Sequence, residues 1–219
     1  MRMVTTVAAM AVLLFGGVLG RDLTTADQSM SGAAGPRIEQ RAGGHVLVLP
    51  DAMTKTLKKL DGDFVPWTDD DYIPSLVKTY RFSARESPFA VIGDFNGDGA
   101  LDVAIQGHDA HALLIVAVLS KDKGYVGVEV ERRQVPDDPK LVPRQDWRDV
   151  GETEVEHGLS AALALQRPAY FQDPPEVPEK MRQPPLDLKT DAIGVFVFDK
   201  DGALYYFDGR VFRYYALGC

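Results

Sequence analysis

The sequence predicts an α+β fold, mainly an antiparallel β-sheet meander with one or more helices packed on it. Short segments rich in Val, Ile and Leu follow one another from residue 88 onward, separated by turn residues. The gaps between consecutive segments are too short for crossover helices, so neighbouring strands should pair antiparallel. One amphipathic segment near residue 50 has helical periodicity and supplies a helix.

The composition is that of an ordinary globular domain, with 45% hydrophobic and 26% charged residues in a chain of 219. The net charge of −8 argues against non-specific nucleic-acid binding, which needs an excess of Lys and Arg. Cys219 is the single cysteine, so intramolecular disulfides and cysteine-based zinc sites are excluded. The domain must therefore depend on its hydrophobic core, on a metal ion or on a partner for stability.

The first 20 residues have the pattern of a secretory signal peptide. Arg2 precedes an uncharged run that ends at Leu19, and Arg21 and Asp22 follow it. At about 17 residues the run is at the lower limit for crossing a membrane, so an uncleaved anchor is the alternative. We expect cleavage, export to the periplasm or the exterior, and no membrane span in the mature protein.

Beyond this segment the sequence divides into a linker and one domain. Residues 21–42 are polar, rich in small side chains and without periodicity, which is typical of a flexible linker. Residues 43–219 then form a single domain.

The helix is predicted at residues 52–60, with Asp51 as its N-cap. Met53, Leu57 and Leu60 lie at positions i, i+4 and i+7, so they form one apolar stripe for packing on the sheet.

Eight strands are predicted from apolar runs, at residues 45–49, 89–92, 101–106, 113–119, 125–131, 193–198, 203–207 and 211–216. Asp201-Gly202 and Asp208-Gly209 separate the last three, and Asp-Gly between such runs is a strong hairpin signal. The last three strands therefore form a meander. Its many aromatic residues indicate a packed core with one exposed row, and a carbohydrate-stacking surface is the alternative.

Three other segments carry weaker signals. Residues 135–156 are acidic and interrupted by prolines, which indicates a surface excursion, and residues 158–166 could form one short helix. The acidic run from Asp69 to Asp71 is interpreted as a solvated turn, with a cation-binding cluster as the alternative.

One motif carries specific chemistry: residues 94–102 read D-x-N-x-D-G-x-x-D. Calcium takes six to eight oxygen ligands from a tightly turned loop, and a glycine such as Gly99 permits the sharp turn. The spacing places oxygen donors at loop positions 1, 3, 5, 7 and 9, namely the side chains of Asp94, Asn96 and Asp98, the carbonyl of Ala100 and the side chain of Asp102. We therefore predict a calcium site at this loop, and a metal-free Gly/Asp turn is the alternative.

The loop departs from the EF-hand pattern. Ile105 occupies position 12, where an EF-hand has a bidentate acid, and the flanking segments are predicted strands. The motif thus predicts a strand–calcium loop–strand unit.

Residues 90–105, AVIGDFNGDGALDVAI, resemble the FG-GAP (VCBS-type) repeat of integrin-like β-propellers. The resemblance implies a strand–calcium loop–strand unit with ligands at the positions named above. A propeller needs at least four blades, and the chain has one copy of the motif, so we do not expect a complete propeller. The wider chain is similar to uncharacterised bacterial exported proteins with one such loop, which implies no activity.

The sequence contains no G-x-S-x-G, no H-E-x-x-H and no phosphate-binding glycine loop. We therefore expect a non-enzymatic, calcium-stabilised binding or structural module, with an unidentified protein or the cell envelope as its partner. The alternative is an extracytoplasmic hydrolase that uses His108, His111, His157 and nearby acids.

Overall fold

The computed structural model describes residues 35–134, 159–197 and 202–217. Its helices are α1 (Asp51–Leu60) and α2 (Pro74–Thr79). Its strands are β1 (Arg37–Arg41), β2 (Gly44–Val48), β3 (Val65–Pro66), β4 (Glu86–Ser87), β5 (Ala90–Gly93), β6 (Asp102–His108), β7 (Ala112–Lys121), β8 (Gly124–Gln134), β9 (Ala161–Gln166), β10 (Tyr170–Phe171), β11 (Leu186–Asp187), β12 (Ala192–Val197), β13 (Gly202–Phe207) and β14 (Phe212–Leu217). The signal-peptide segment, the 135–156 excursion and Cys219 lie outside the described residues.

Two antiparallel sheets dominate the fold. The central sheet has the order β4-β5-β6-β7-β8, with β3 paired to β6, and the second sheet has the order β14-β13-β12-β9. The β1-β2 hairpin and the pair β10-β11 form two further antiparallel two-stranded sheets. The predicted antiparallel meander with packed helices is confirmed at this level, and over the described ranges the strands close neither a barrel nor a propeller. Neither helix in this part of the chain is long and apolar enough to cross a membrane.

The central sheet is covered on both faces. Val103 and Ile105 of β6 pack in one cluster with Met53 and Leu57 of α1. The intervening Ala104 packs in a second cluster, with side chains of β9, β12 and β13. Because side chains alternate between the faces of a strand, both sets must be apolar when both faces are covered. This explains why β7 is apolar at nearly every position instead of alternating.

Helix α1 has the predicted apolar stripe. Met53 and Leu57 are buried and Leu60 is half-buried. The N-cap prediction is wrong by one position, because Pro50 is the N-cap and Asp51 lies in the first turn. There the charge of Asp51 still favours the helix, since the N-terminal end of the helix dipole is positive.

Residues 161–166 form a strand instead of the short helix considered for residues 158–166. Strand β9 pairs with β12 over its whole length, from Ala161 opposite Val197 to Gln166 opposite Ala192. The segment GLSAALALQ has good helix formers, but pairing with β12 and burial of Leu163 between the sheets outweigh this weak local preference.

The predicted linker also extends too far toward the C-terminus. Residues 37–41 form β1, which pairs with β2 along five residues and lets Ile38 and Leu47 pack on the α1 side of the central sheet. The His45 Nδ1 atom lies 2.8 Å from Asp69 Oδ2 and joins the hairpin to the following 3₁₀ turn. Since β1 has the polar sequence RIEQR, its strand character depends on its partner.

The acidic run Asp69–Asp71 forms this 3₁₀ turn, and its three carboxylates have different roles. Asp69 binds His45, whereas Asp71 Oδ2 accepts hydrogen bonds from the backbone N–H and the hydroxyl of Thr68, each at 2.8 Å. Asp70 is exposed. Two members of the run are therefore structural groups of a turn.

The hairpin turn at Asp208-Gly209 is confirmed. Gly209 has a φ of +92°, and Asp208 Oδ1 accepts hydrogen bonds from the backbone N–H groups of Arg210 and Val211, both at 2.9 Å. These bonds, led by that from Val211, and the Arg213 guanidinium lower the pKa of Asp208 from 3.8 to about 2. The companion turn at residues 198–201 lies outside the described residues.

The aromatic residues of the meander divide between core and surface. Tyr205 and Tyr215 are buried, whereas Tyr214 is 62% exposed. Burial and a hydrogen bond to Glu131 raise the pKa of Tyr205. The packed core with exposed aromatic positions is thus observed for these side chains.

We predict that Asp208→Asn lowers stability in a pH-dependent way. Because the folded-state pKa of Asp208 is depressed, its contribution is complete above the unfolded value near 3.8 and disappears as the pH falls through about 2. Urea unfolding should therefore separate wild type and variant at neutral pH and bring them together at about pH 2. Asp187→Asn, another exposed acid, serves as the control, and a difference that is constant with pH would contradict the prediction.

Candidate metal centre

The motif at residues 94–102 joins two neighbouring core strands. Strands β5 and β6 pair antiparallel, with Ile92 opposite Val103 and Gly93 opposite Asp102. Phe95, the second loop residue, is fully buried and packs between the sheets. The strand–loop–strand arrangement is therefore present, and the ion it would bind remains a prediction.

Asp94 organises the loop from its first position. Its Oδ1 atom accepts hydrogen bonds from the N–H groups of Gly97 at 2.7 Å and Asp98 at 3.1 Å, and its Oδ2 atom accepts one from Gly99 at 2.9 Å. Gly97 and Gly99 have φ values of +78° and +83°, a region that favours glycine. The turn residue predicted at position 6 thus has the expected backbone conformation.

Asn96 and Asp98 form the solvent side of the loop. Asn96 Oδ1 accepts a hydrogen bond from the Asp98 N–H at 3.0 Å, and Asn96 Nδ2 donates to the Ser120 carbonyl at 2.6 Å. Asp98 is exposed, and hydrogen bonds from the Ala100 N–H and then the Ser120 hydroxyl lower the pKa of its carboxyl. Asp98 is therefore ionised at neutral pH, as a calcium ligand must be.

Asp102, in contrast, is fully buried. Its Oδ2 atom accepts hydrogen bonds from the N–H groups of Phe95 and Asn96, and its Oδ1 atom accepts them from the N–H and hydroxyl of Ser120. Three N–H groups, together with a hydroxyl that also faces Asp98, thus surround the carboxylate. Burial raises the pKa of Asp102, and these hydrogen bonds oppose the rise. In this arrangement Asp102 connects the loop to β7, and ligation would require the Ser120 hydroxyl to turn away.

The Ser120 hydroxyl has more acceptors around it than it can serve. Its Oγ atom lies 2.9 Å from Asp98 Oδ1, 2.7 Å from Asp98 Oδ2 and 2.9 Å from Asp102 Oδ1. A hydroxyl donates one hydrogen bond, so it serves only one of these three oxygens at a time, and each oxygen also accepts a hydrogen bond from another group of the loop or of Ser120. A position at which three carboxylate oxygens meet fits a hard cation such as calcium.

The cation ligands are not gathered into a ready-made cage. Across the part of the chain that the structure describes, no group of three or more His, Cys, Asp or Glu side chains is placed to hold a metal ion. The carboxylates of the loop bind backbone N–H groups instead. Any ion would therefore rely on rotation of exposed side chains, the Ala100 carbonyl and water to complete its ligands.

Sequence reasoning missed three residues that bind the loop. Ser120 contacts it from β7, and the available signal was a polar residue at the end of a long apolar run. Asp191 Oδ2 accepts a hydrogen bond from the Asp94 N–H at 3.0 Å, and the Thr190 hydroxyl donates to the Phe95 carbonyl at 3.1 Å. No local pattern indicates the last two, because they lie some ninety residues away in the chain.

The two described histidines of the hydrolase alternative, His108 and His111, both contact Asp109. The His108 ring packs on Trp67 with its centroid 4.3 Å away, and its Nδ1 atom lies 3.0 Å from the Asp109 carbonyl oxygen. His111 is exposed, and its backbone N–H donates to the Asp109 side chain. His157 lies outside the described residues. No specific contact among the described residues favours the hydrolase alternative.

No protein-family model matches this sequence, and comparisons with curated proteins and with solved structures found no match either. The resemblance to the FG-GAP repeat therefore depends on residues 90–105 alone.

We predict that Asp102 contributes much more than Asp98 to the stability of the calcium-free protein. Asp102→Asn leaves buried N–H donors facing an amide, which should lower the free energy of unfolding by about 2–3 kcal/mol. Asp98→Asn alters an exposed side chain and should cost much less. Urea unfolding in the presence of a chelator measures both, and an equal loss in the two variants would show that Asp102 is not the structural anchor of the loop.

Proposed function

We propose that this protein is an exported, non-enzymatic calcium-binding module in which residues 94–102 hold the ion at the turn between two core strands. The observation that carries the proposal is the convergence of three carboxylate oxygens, two from Asp98 and one from Asp102, on the Ser120 hydroxyl. Calcium is the hard cation that tolerates such irregular sets of carboxylate, amide, carbonyl and water oxygens, whereas magnesium demands a near-ideal octahedron.

The ligand set comes from the outer side of the loop. Asp94 and Asn96 are half-buried, and Asp98 and Ala100 are exposed, so an ion can reach their oxygens from solvent. Asp102 contributes its negative charge from its buried position, and it would ligate the ion directly only if the Ser120 hydroxyl turned away. Three carboxylates against a divalent ion give a local charge near −1, which favours binding.

Calcium here acts as a stabiliser of a formed loop. The backbone N–H groups that bind Asp94 and Asp102 already close the loop, so folding does not wait for the ion. Binding to the folded state alone then raises stability by mass action, by ~2.7 kcal/mol when free calcium is about a hundred times the Kd.

Export suits a site of this kind. Extracellular calcium modules commonly have Kd values of about 10⁻⁴–10⁻³ M, and the N-terminal 20 residues have the pattern of a signal peptide. The resemblance of residues 90–105 to the FG-GAP repeat also supports the proposal of a calcium site. The module would bind an unidentified protein or the cell envelope.

We predict that calcium raises the midpoint of thermal unfolding in a saturable way and that magnesium at the same concentration has a smaller effect. Asp98→Asn should weaken calcium binding about tenfold, because it removes an ionised ligand. Circular dichroism measures the midpoints, and calorimetric titration measures the Kd.

Asp70→Asn is the matched control, because it makes the same chemical change in the other acidic run, at an exposed position. Its affinity should equal that of the wild type. An equal loss in both variants would indicate diffuse attraction to surface charge, and absence of a calcium effect in the wild type would overturn the proposal.

A further inference from the structure

The candidate loop is bound on a second side by residues that precede β12. The Asp94 N–H donates to Asp191 Oδ2 at 3.0 Å, and the Asp191 N–H donates back to the Asp94 carbonyl at 3.1 Å. Both the N–H and the carbonyl of Asp94 are thus bound by one residue that lies directly before β12 of the second sheet. Ser120 contacts the loop from the central sheet, so the loop is held between the two sheets.

Thr190 adds a contact that involves no charge. Its hydroxyl donates to the Phe95 carbonyl at 3.1 Å and also approaches the Asp191 carbonyl at 3.3 Å. Its methyl group covers Gly97, where an added Cβ atom would lie 2.9 Å from Thr190 Cγ2.

Gly93 shows that the close approach of Asp191 is built into the fold. A Cβ atom at Gly93 would lie 2.9 Å from Asp191 Oδ2 and 2.8 Å from Leu165 Cδ1. A Cβ atom does not approach a nonbonded heavy atom this closely, so a side chain at position 93 would force Asp191 or Leu165 away. Glycines at the end of β5 and inside the loop therefore admit the two residues that bind the loop backbone.

The charge of Asp191 has its own partner. Asp191 is 7% exposed, and Arg167 Nη1 lies 3.2 Å and 3.0 Å from its two carboxylate oxygens. Because Arg167 compensates this charge, Asp191 can accept the Asp94 N–H without adding an unpaired negative group beside the loop. Its contribution to the loop is then geometric.

We propose that Thr190 and Asp191 are positioning residues of the cation site: by binding the backbone of Asp94 and Phe95 from the segment before β12, they set the affinity of the loop for calcium. This inference rests on the proposed function. It adds that affinity depends on two residues that are not ligands and that lie just before β12 of the second sheet.

The test compares Thr190→Val with Thr190→Ser. Valine keeps the shape and removes the donor to the Phe95 carbonyl, whereas serine keeps the donor. We expect the valine variant to bind calcium about fivefold more weakly, as loss of one hydrogen bond implies, and the serine variant to stay within about twofold of the wild type. Neither substitution changes the net charge of the protein, so a difference in calcium affinity between the two variants cannot come from a change in net charge. Calorimetric titration of the whole protein with calcium chloride gives the Kd values.

Asp191→Ala, with Asp187→Asn as its control, is the second arm. Both remove one acid near the start of β12, but Asp187 is exposed and pairs with Lys189 outside the loop. We expect the alanine variant to lose affinity about tenfold or more and the control to keep it. Circular dichroism checks that each variant is folded. If Asp191→Ala does not fold, the comparison of Thr190→Val with Thr190→Ser tests the positioning role by itself.

The outcomes separate this inference from the proposed function. Calcium binding by the wild type with equal affinity in Thr190→Val and Thr190→Ser overturns the positioning role and leaves the calcium site standing. A wild type that gives no calcium signal overturns both.

Discussion

Burial of the central sheet on both faces is the constraint on which the rest of the structure depends. Helix α1 and the β1-β2 hairpin cover one face, and β9, β12 and β13 cover the other. Strand β7 has almost no polar position because neither of its faces meets solvent. The loop between β5 and β6 emerges at the end of this doubly covered sheet, so its first residues are anchored in the core through Phe95.

That position explains why one carboxylate of the loop is buried. Asp102 begins β6, where its side chain cannot reach water, and its charge is compensated by three backbone N–H groups and by the Ser120 hydroxyl, which also faces Asp98. A buried carboxylate with full hydrogen bonding is tolerated, whereas one with a missing partner is costly. The same residue type thus has a structural role at position 9 and a solvent-facing role at position 5, because burial differs between them.

The arrangement also relates the candidate site to the second sheet. The candidate loop contacts groups supplied by β7 and by the segment before β12, although all the ligands proposed from sequence come from one nine-residue stretch. The affinity of the loop for calcium would therefore depend on contacts with both sheets. A calcium ion would therefore stiffen a junction of the core as well as a surface turn.

Features that depend on residues close together in the chain could be predicted from the sequence. The α1 stripe of Met53 and Leu57, the Asp208-Gly209 turn and the spacing of the loop all depend on neighbours within a few residues, so periodicity and turn preferences indicate them. Tertiary structure decided the rest. Segment 161–166 is a strand because β12 pairs with it, and Asp191 meets Asp94 across 97 positions of sequence. Contacts of this kind leave no local pattern, because they arise only when distant strands pack and their backbone groups must find partners.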